Sequence, residues 1–239
     1  MKIEIRELKT VNMEGGTVVD GFPGLGLANA IASECIIESL QLEPVAILDS
    51  DMFPSMSTIY NSKPYFPARI HANEELKVAI FISELTLKEP MLKGVGRAII
   101  MWAKEHQCSM IFSASGLPVE KTQQTDGMEV LGVGSSKRAI EKILEKKIRV
   151  LEHGAVTGIP GVLLSEGRLQ NIDVIVFLVK VLKDVPDFRA AALLSEVLAD
   201  FAPSCKCNIA SLVGEAETVE KRLKAIQSES KPLADVMYR

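Results

Sequence analysis

Short apolar runs rich in valine and isoleucine alternate with longer amphipathic stretches along most of the chain. A short apolar run bounded by turn residues is typical of a buried strand, and apolar residues three or four positions apart are typical of a helix. The predicted strands are residues 17–20, 44–48, 76–82, 110–114, 129–133, 148–151 and 172–182. The predicted helices are residues 25–40, 91–106, 136–147 and 186–201, with a shorter helical stretch at 162–166.

This repeated order of strand, helix and strand predicts an α/β fold, in which a mostly parallel central sheet carries helices on both faces. The run 172–179 is apolar at nearly every position, which indicates a strand buried on both faces of the sheet. The segment 49–72 is less regular and contains Pro54, Pro64 and Pro67. It fits either a long functional loop or an antiparallel excursion, and both interpretations stay open.

The composition is that of an ordinary globular protein of 239 residues, with 47% hydrophobic and 24% charged residues. No break in composition divides the core, so we expect a single α/β domain over residues 1–210. A formal net charge of −4 argues against a nucleic-acid partner. Because no apolar run is long enough to cross a membrane and the charged first residues do not resemble a secretory leader, we expect a cytoplasmic protein without a membrane partner.

The four cysteines do not predict a disulfide framework or a metal site. Cys35 and Cys108 lie in apolar stretches and are interpreted as buried small residues. Cys205 and Cys207 are too close together to staple the fold, and no second pair completes a zinc site. The sequence therefore favours a reducing compartment, and we expect neither a metal nor another cofactor.

The C-terminal region differs in kind from the rest of the chain. An amphipathic helix is predicted over residues 211–227, where apolar residues step by four and three positions in an a/d seam. This seam fits either a helix packed on its own domain or a pairing between subunits. Residues 228–239 are predicted to form a flexible tail, because the segment is polar and Pro232 ends helical continuation.

A glycine-rich turn follows the first predicted core strand and precedes the first helix. Gly21, Gly24 and Gly26 lie in this turn, and a helix N-terminus exposes N–H groups that suit a phosphate. Asn29, however, stands where a dinucleotide-binding fingerprint has its third small residue. The turn therefore fits either a nucleotide site or a tight connection in which glycines allow close packing.

Two further segments follow strands and open towards helices or loops. One contains Gly158 and Gly161, and the other contains Ser115. Since ligands in open α/β sheets bind beyond the carboxyl ends of the strands, these segments and the first glycine turn could converge on a small pocket. The sequence contains no recognisable catalytic triad, phosphate-binding loop or zinc-protease motif, so we predict no catalytic residues.

The chain ends in Met237, Tyr238 and Arg239. A hydrophobic side chain, a tyrosine ring and a free terminal carboxylate together form a compact docking unit. The ring supplies a large apolar surface with a hydroxyl, and a terminal carboxylate can be captured by a lysine or by backbone donors.

Taken together, these motifs resemble the archaeal proteasome assembly chaperone family, which is related to the second subunit of the eukaryotic assembly-chaperone pair. Segment 21–27, Gly-Phe-Pro-Gly-Leu-Gly-Leu, followed by a helix containing Ile-Ala-Ser-Glu, is similar to the leading motif of that family. Segment 158–164, Gly-Ile-Pro-Gly-Val-Leu-Leu, resembles its second glycine motif. The likeness spans about residues 15–200.

The resemblance implies a three-layer α/β sandwich related to nucleoside phosphorylases and a non-enzymatic role in homo-oligomers, which the a/d seam could help to build. It also implies that the C-terminal tripeptide is a hydrophobic–tyrosine–any-residue tail. Such tails enter pockets between adjacent α-subunits of the 20S proteasome ring, where a lysine meets the carboxylate. The alternative is an enzyme or sensor that binds a nucleoside or nucleotide through its glycine-rich loops on a phosphorylase-like core.

Overall fold

The computed structural model describes residues 3–60, 62–85, 87–119, 129–182, 185–210 and 212–214, and it confirms the α/β fold class. The strands are β1 (Glu4–Glu7), β2 (Thr17–Gly21), β3 (Glu43–Asp49), β4 (Thr58–Tyr60), β5 (Lys63–Tyr65), β6 (Ala68–Asn73), β7 (Val78–Ser83), β8 (Met110–Val119), β9 (Val130–Gly134), β10 (Arg149–Val150) and β11 (Val174–Leu182). The helices are α1 (Ala28–Leu40), α2 (Glu89–Glu105), α3 (Lys137–Glu145), α4 (Gly158–Gln170) and α5 (Phe188–Phe201).

Nine strands form one sheet in the order β1-β3-β6-β7-β2-β8-β11-β9-β10. Its centre, β7-β2-β8-β11, is parallel throughout. On one side β6, β3 and β1 continue in alternating directions, and on the other β9 runs antiparallel to β11. Five strands, β2, β3, β7, β8 and β11, therefore point the same way, and their carboxyl ends meet at one edge of the sheet.

Helices cover both faces of the sheet and produce three layers. Helices α1, α3 and α5 pack on one face, where Val19, Phe112 and Phe177 contribute to a continuous apolar cluster. Helices α2 and α4 pack on the other face, where Val18 and Ile111 belong to a second cluster. Because alternate strand residues point to opposite faces, the central strands are apolar at nearly every position.

The irregular segment 49–72 is an antiparallel excursion rather than one long loop. Strands β4 and β5 form a separate two-stranded hairpin, and β6 then returns to the main sheet between β3 and β7. The hairpin leaves and rejoins the sheet at the edge where the five parallel strands end. The hairpin therefore lies at the same edge of the sheet as the glycine-rich turn.

Several element boundaries differ from the predictions. β1 was not predicted, because Ile5 is its only apolar residue and the strand lies at the sheet edge. Helix α1 begins at Ala28, after a 3₁₀ turn over Leu25–Leu27, and α4 extends well beyond the predicted 162–166. Ser136 caps α3, since its hydroxyl oxygen accepts the N–H of Ala139.

The described chain ends with a short helical piece at residues 212–214, in which Leu212 is buried. The rest of the predicted helix 211–227 and the predicted tail 228–239, including Met237, Tyr238 and Arg239, lie outside the described residues. These predictions therefore remain predictions. Within the described ranges, no helix combines the length and the apolar character that a membrane span requires.

Candidate functional site

The edge at which the parallel strands end carries the first glycine-rich turn. Gly21 is the last residue of β2, and a Cβ atom there would lie 2.5 Å from the Ser33 hydroxyl oxygen and 2.8 Å from the Phe81 carbonyl oxygen. Gly26 has a φ of +69°, in the left-handed region that favours glycine, and a Cβ there would lie 2.6 Å from Val181. Glycine stands at both positions because the chain approaches neighbouring elements closely there. Gly24 has open space around its Cα.

The first turn meets the segment around Ser115, but the structure places that segment inside strand β8, which continues to Val119, and not in the predicted loop. A Cβ on Gly116 would lie 2.6 Å from the carbonyl oxygen of Leu25 and 2.6 Å from Val181. The carbonyl oxygen of Gly26 accepts the N–H of Asp187 at 2.8 Å, which joins a third connection to the turn. Ser115 itself is half-buried on β8, opposite Leu178 of β11.

The segment with Gly158 and Gly161 does not join this meeting point. It begins α4, which packs with α2 on the opposite face of the sheet from α1. A Cβ on Gly161 would overlap the carbonyl oxygen of Val156, so this glycine also serves close packing. The segment lines an open groove of about 500 Å³ between α2 and α4, where Arg97 donates to Glu166 at 2.6 Å. The structure thus brings together two of the three predicted loops.

A buried carboxyl group, which sequence reasoning missed, lies at the end of the central strand. Asp20 is 1% exposed, and its Oδ2 accepts the Ser113 hydroxyl at 2.7 Å while its Oδ1 accepts the Phe22 N–H at 3.1 Å. Burial raises the pKa of Asp20 to about 6, and the two hydrogen bonds partly oppose this rise. The sequence does place this acidic residue within an apolar strand, but it gives no sign of the partner Ser113, which is 93 residues away.

Asn29 explains why the glycine turn departs from a dinucleotide fingerprint. Its side-chain amide donates to the carbonyl oxygen of Asp20 at 2.5 Å and reaches that of Phe22 at 3.4 Å. The amide therefore ties the first turn of α1 to the chain that leaves β2. One turn later on α1, Ser33 packs against Gly21. The Asn29 hydrogen bonds and the close packing of Ser33 hold the turn from within the protein.

An ion pair braces the β4–β5 hairpin against the sheet. Arg69 of β6 donates to Glu84 at 2.6 Å and to the carbonyl oxygen of Phe66 at 2.6 Å. The guanidinium also lies 5.8 Å from the centre of the Tyr65 ring. Glu34 of α1 lies close enough that burial, followed by repulsion from Glu84, raises its pKa. The hairpin is thus held at a defined position beside α1.

Large apolar side chains are exposed along this edge of the molecule. Each of these residues, which we call the apolar rim, exposes between 37% and 64% of its surface. The apolar rim consists of Leu25, Leu27, Met52, Met56, Ile59 and Phe66. Exposed apolar surface concentrated in one region is typical of protein–protein contact. Within the described part of the chain, no group of histidine, cysteine or acidic residues could hold a metal ion.

Comparison with known proteins shows which family and which solved structures this architecture resembles. Residues 18–227 match the model of the PAC2 family. A crystal structure of Pyrococcus furiosus PbaA, described as an archaeal homolog of proteasome-assembly chaperone, superimposes with a TM-score of 0.82 at 25% identity, covering 94% of this chain and 97% of that chain. Pyrococcus furiosus PbaB, described as an archaeal proteasome activator, has the same fold, with a TM-score of 0.81 at 21% identity over 95% of this chain and 99% of its own.

The sequence comparison agrees with the structural one. The uncharacterized protein MJ0106 of Methanocaldococcus jannaschii is 27% identical over 223 residues, which cover 93% of this chain and 90% of that protein. The family match includes the glycine-rich turn, the hairpin, the central strands and the segment that follows α5. This chain belongs to the PAC2 family.

Proposed function

We propose that this chain is a non-enzymatic assembly chaperone or activator of the proteasome, which docks on the α-ring of the 20S particle through its C-terminus. The observation that carries the chaperone-like role is the likeness to PbaA, which has 25% identity over nearly the whole of both chains and is described as a proteasome-assembly chaperone homolog. Membership of the PAC2 family over residues 18–227 supports the same conclusion. A partner of this kind would imply a cytoplasmic location.

The docking element in this proposal is the C-terminal tripeptide. Met237 and the ring of Tyr238 would fill an apolar cleft between two α-subunits, and the carboxylate of Arg239 would pair with a lysine there. The nine residues between the predicted helix and the tripeptide, 228–236, could span about 30 Å when fully extended. That reach would let the tripeptide enter a cleft while the α/β domain stays outside the ring.

A single short tail binds weakly, so the proposal includes several copies acting together. In a homo-oligomer, binding of one tail raises the effective concentration of the others at neighbouring clefts. The predicted a/d seam over residues 211–227 would offer one surface for self-association. The apolar rim adds exposed surface of the kind that protein partners cover.

The test is co-sedimentation of the purified full-length protein with 20S proteasomes. We expect deletion of residues 237–239, or Tyr238→Ala, to abolish co-sedimentation without changing the circular dichroism spectrum or the oligomeric state. Arg239→Ala is the matched control, because it keeps the tail length and the terminal carboxylate at a position that tolerates any residue. Adding one glycine after Arg239 should also weaken binding, since it displaces the carboxylate. Full binding by the truncated protein would overturn docking through the C-terminus.

A further inference from the structure

Three of the four cysteines gather between α1 and the segment that follows α5. Cys35 lies in α1 and Cys205 ends a 3₁₀ turn, and both are buried in the apolar cluster on that face of the sheet. Cys207 packs against the same cluster and is half-buried. Cys108 lies with the apolar cluster on the opposite face. The sequence gives no sign of this grouping, because 172 positions separate Cys35 from Cys207.

The segment after Cys205 runs along α1 in direct contact with it. The Cys35 thiol donates to the carbonyl oxygen of Asn208 at 3.5 Å, and the N–H of Asn208 donates to the Ser39 hydroxyl oxygen at 3.0 Å. Cys207 directly precedes Asn208 in the chain and packs against the apolar cluster that holds Cys35, so the two thiols are neighbours. Burial, followed by this contact, raises the pKa of Cys35 to about 12. Cys35 therefore rests as a protonated thiol beside a more accessible one.

We propose that Cys35 and Cys207 are a redox modification site, at which a hydroperoxide converts the two thiols into a reversible disulfide that fastens the start of the C-terminal segment to α1. This inference does not depend on proteasome docking. In a reducing compartment the two thiols would stay reduced, and the disulfide would form only when an oxidant reaches them.

The chemistry balances with hydrogen peroxide as the oxidant. The half-buried Cys207 sulfur attacks the peroxide, the O–O bond breaks, and Cys207 becomes a sulfenic acid with release of one water. The Cys35 sulfur then attacks the Cys207 sulfur, the S–O bond breaks, a disulfide forms and a second water leaves. Two thiols and one peroxide thus give one disulfide and two waters. A small dithiol reverses the change by thiol–disulfide exchange at the more accessible Cys207 sulfur.

The disulfide would convert a weak attachment into a covalent one. In the reduced protein, polar contacts at Asn208 and the buried side chain of Leu212 hold this segment on the domain. Such an attachment opens locally without unfolding the core. A bond between Cys35 and Cys207 would prevent that opening at the point where the chain leaves the α/β domain.

The first test is peptide mapping after oxidation. Reduced full-length protein is treated with hydrogen peroxide, alkylated under denaturing conditions and digested. We expect a linked peptide pair joining Cys35 to Cys207, which disappears on reduction and is absent in Cys207→Ser. Cys108→Ser and Cys205→Ser are the controls and should keep the link. A link through Cys205 or Cys108, a link between two chains, or no link at all would overturn the proposal.

The second test measures the attachment itself. Amide hydrogen exchange over residues 208–214 should slow by at least about tenfold when the wild-type protein is oxidised, because local opening is prevented. The same treatment should leave exchange in Cys207→Ser unchanged, and the half-buried position of Cys207 makes this variant compatible with folding. Equal exchange in the oxidised and reduced wild type would overturn the fastening of the segment.

Discussion

The Ser113 hydroxyl donates to the Asp20 carboxylate at 2.7 Å, and this hydrogen bond joins the two central strands β2 and β8 inside the protein. The strand pairing places the two residues next to each other, because Val19 is opposite Phe112 and each strand continues by one residue. Asp20 has no cationic partner among the groups that shift its pKa, which are burial, Ser113 and the Phe22 N–H. The carboxyl group is therefore held by neutral donors in an apolar interior, where its charged form is costly.

We expect Asp20 to make the protein less stable as the pH rises through 6. Its pKa is raised from 3.8 to about 6, so the folded state binds the proton more tightly than the unfolded state. The resulting stabilisation is complete below pH 3.8 and is lost as the pH rises through about 6. A shift of this size corresponds to about 3 kcal/mol of unfolding free energy. Urea titrations at several pH values, followed by fluorescence of the single tryptophan Trp102, measure this dependence.

Asp20→Asn isolates this contribution from those of other titrating groups. The amide keeps the size of the carboxyl group and an acceptor for the Phe22 N–H, and the Ser113 hydroxyl can turn to accept from the new amide. The variant should match the wild type near pH 4 and exceed its stability at pH 8. Ser113→Ala should do the opposite, since the charged carboxylate loses a donor, and the decline with pH should steepen. Identical pH profiles for all three proteins would show that Asp20 does not titrate in this range.

Two glycines of the same turn should respond differently to alanine. At Gly21, an added methyl group would overlap the Ser33 hydroxyl and the Phe81 carbonyl oxygen. Gly21→Ala should therefore lower the unfolding free energy by about 1–3 kcal/mol. At Gly24, no atom would lie within 4 Å of the added methyl group, and φ is −127°. Gly24→Ala should therefore change the unfolding free energy by less than about 0.5 kcal/mol. Urea unfolding at a single pH compares the pair. Equal losses would mean that the turn requires glycine for a reason other than packing.

The ion pair that braces the hairpin should matter far more than an exposed pair of similar geometry. Arg69→Met leaves Glu84 partly buried beside Glu34 and removes the donor to the Phe66 carbonyl, so we expect a loss of about 2–3 kcal/mol. Lys9→Met breaks a 3.0 Å pair with Glu43 in which both side chains are more than half exposed, and it should cost less than about 1 kcal/mol. Urea unfolding gives both values, and limited proteolysis at 50–67 should quicken only in Arg69→Met. A comparable loss in both variants would rule out a bracing role for Arg69.

The sequence predicts the layers of this fold better than the directions of its strands. Apolar runs such as 110–114 and 172–182 mark the central strands, because burial on both faces favours apolar side chains at most positions. The same pattern does not reveal that β9 runs antiparallel to β11, since a short apolar run looks alike in either direction. The edge strand β1 could not be predicted, because it pairs with a strand on one side only and most of its residues are exposed.

The candidate site was predictable where local geometry dominates and unpredictable where distant segments meet. The glycine turn after β2 follows from a strand that must turn at once into a helix, and the structure places it there. The pairing of Asp20 with Ser113 and that of Cys35 with Cys207 depend on strand order and on the path of the chain after α5. Hydrophobic periodicity carries neither kind of information, so the sequence indicates Ser115 as the candidate ligand residue and not Ser113, which bonds to Asp20.

Replacing Met237 with leucine should strengthen docking on 20S proteasomes if the C-terminal tripeptide enters an apolar cleft. Methionine loses more side-chain entropy than leucine on burial, by about 1 kcal/mol, which corresponds to an affinity about fivefold higher per tail for Met237→Leu. Met237→Asp should abolish binding, because it would bury an unpaired charge. Binding should also weaken as salt is raised, since the carboxylate of Arg239 is proposed to pair with a lysine. Surface plasmon resonance on immobilised 20S particles measures each affinity, with Arg239→Ala as the control. Unchanged binding by Met237→Asp would mean that the hydrophobic position of the tripeptide does not contact the particle.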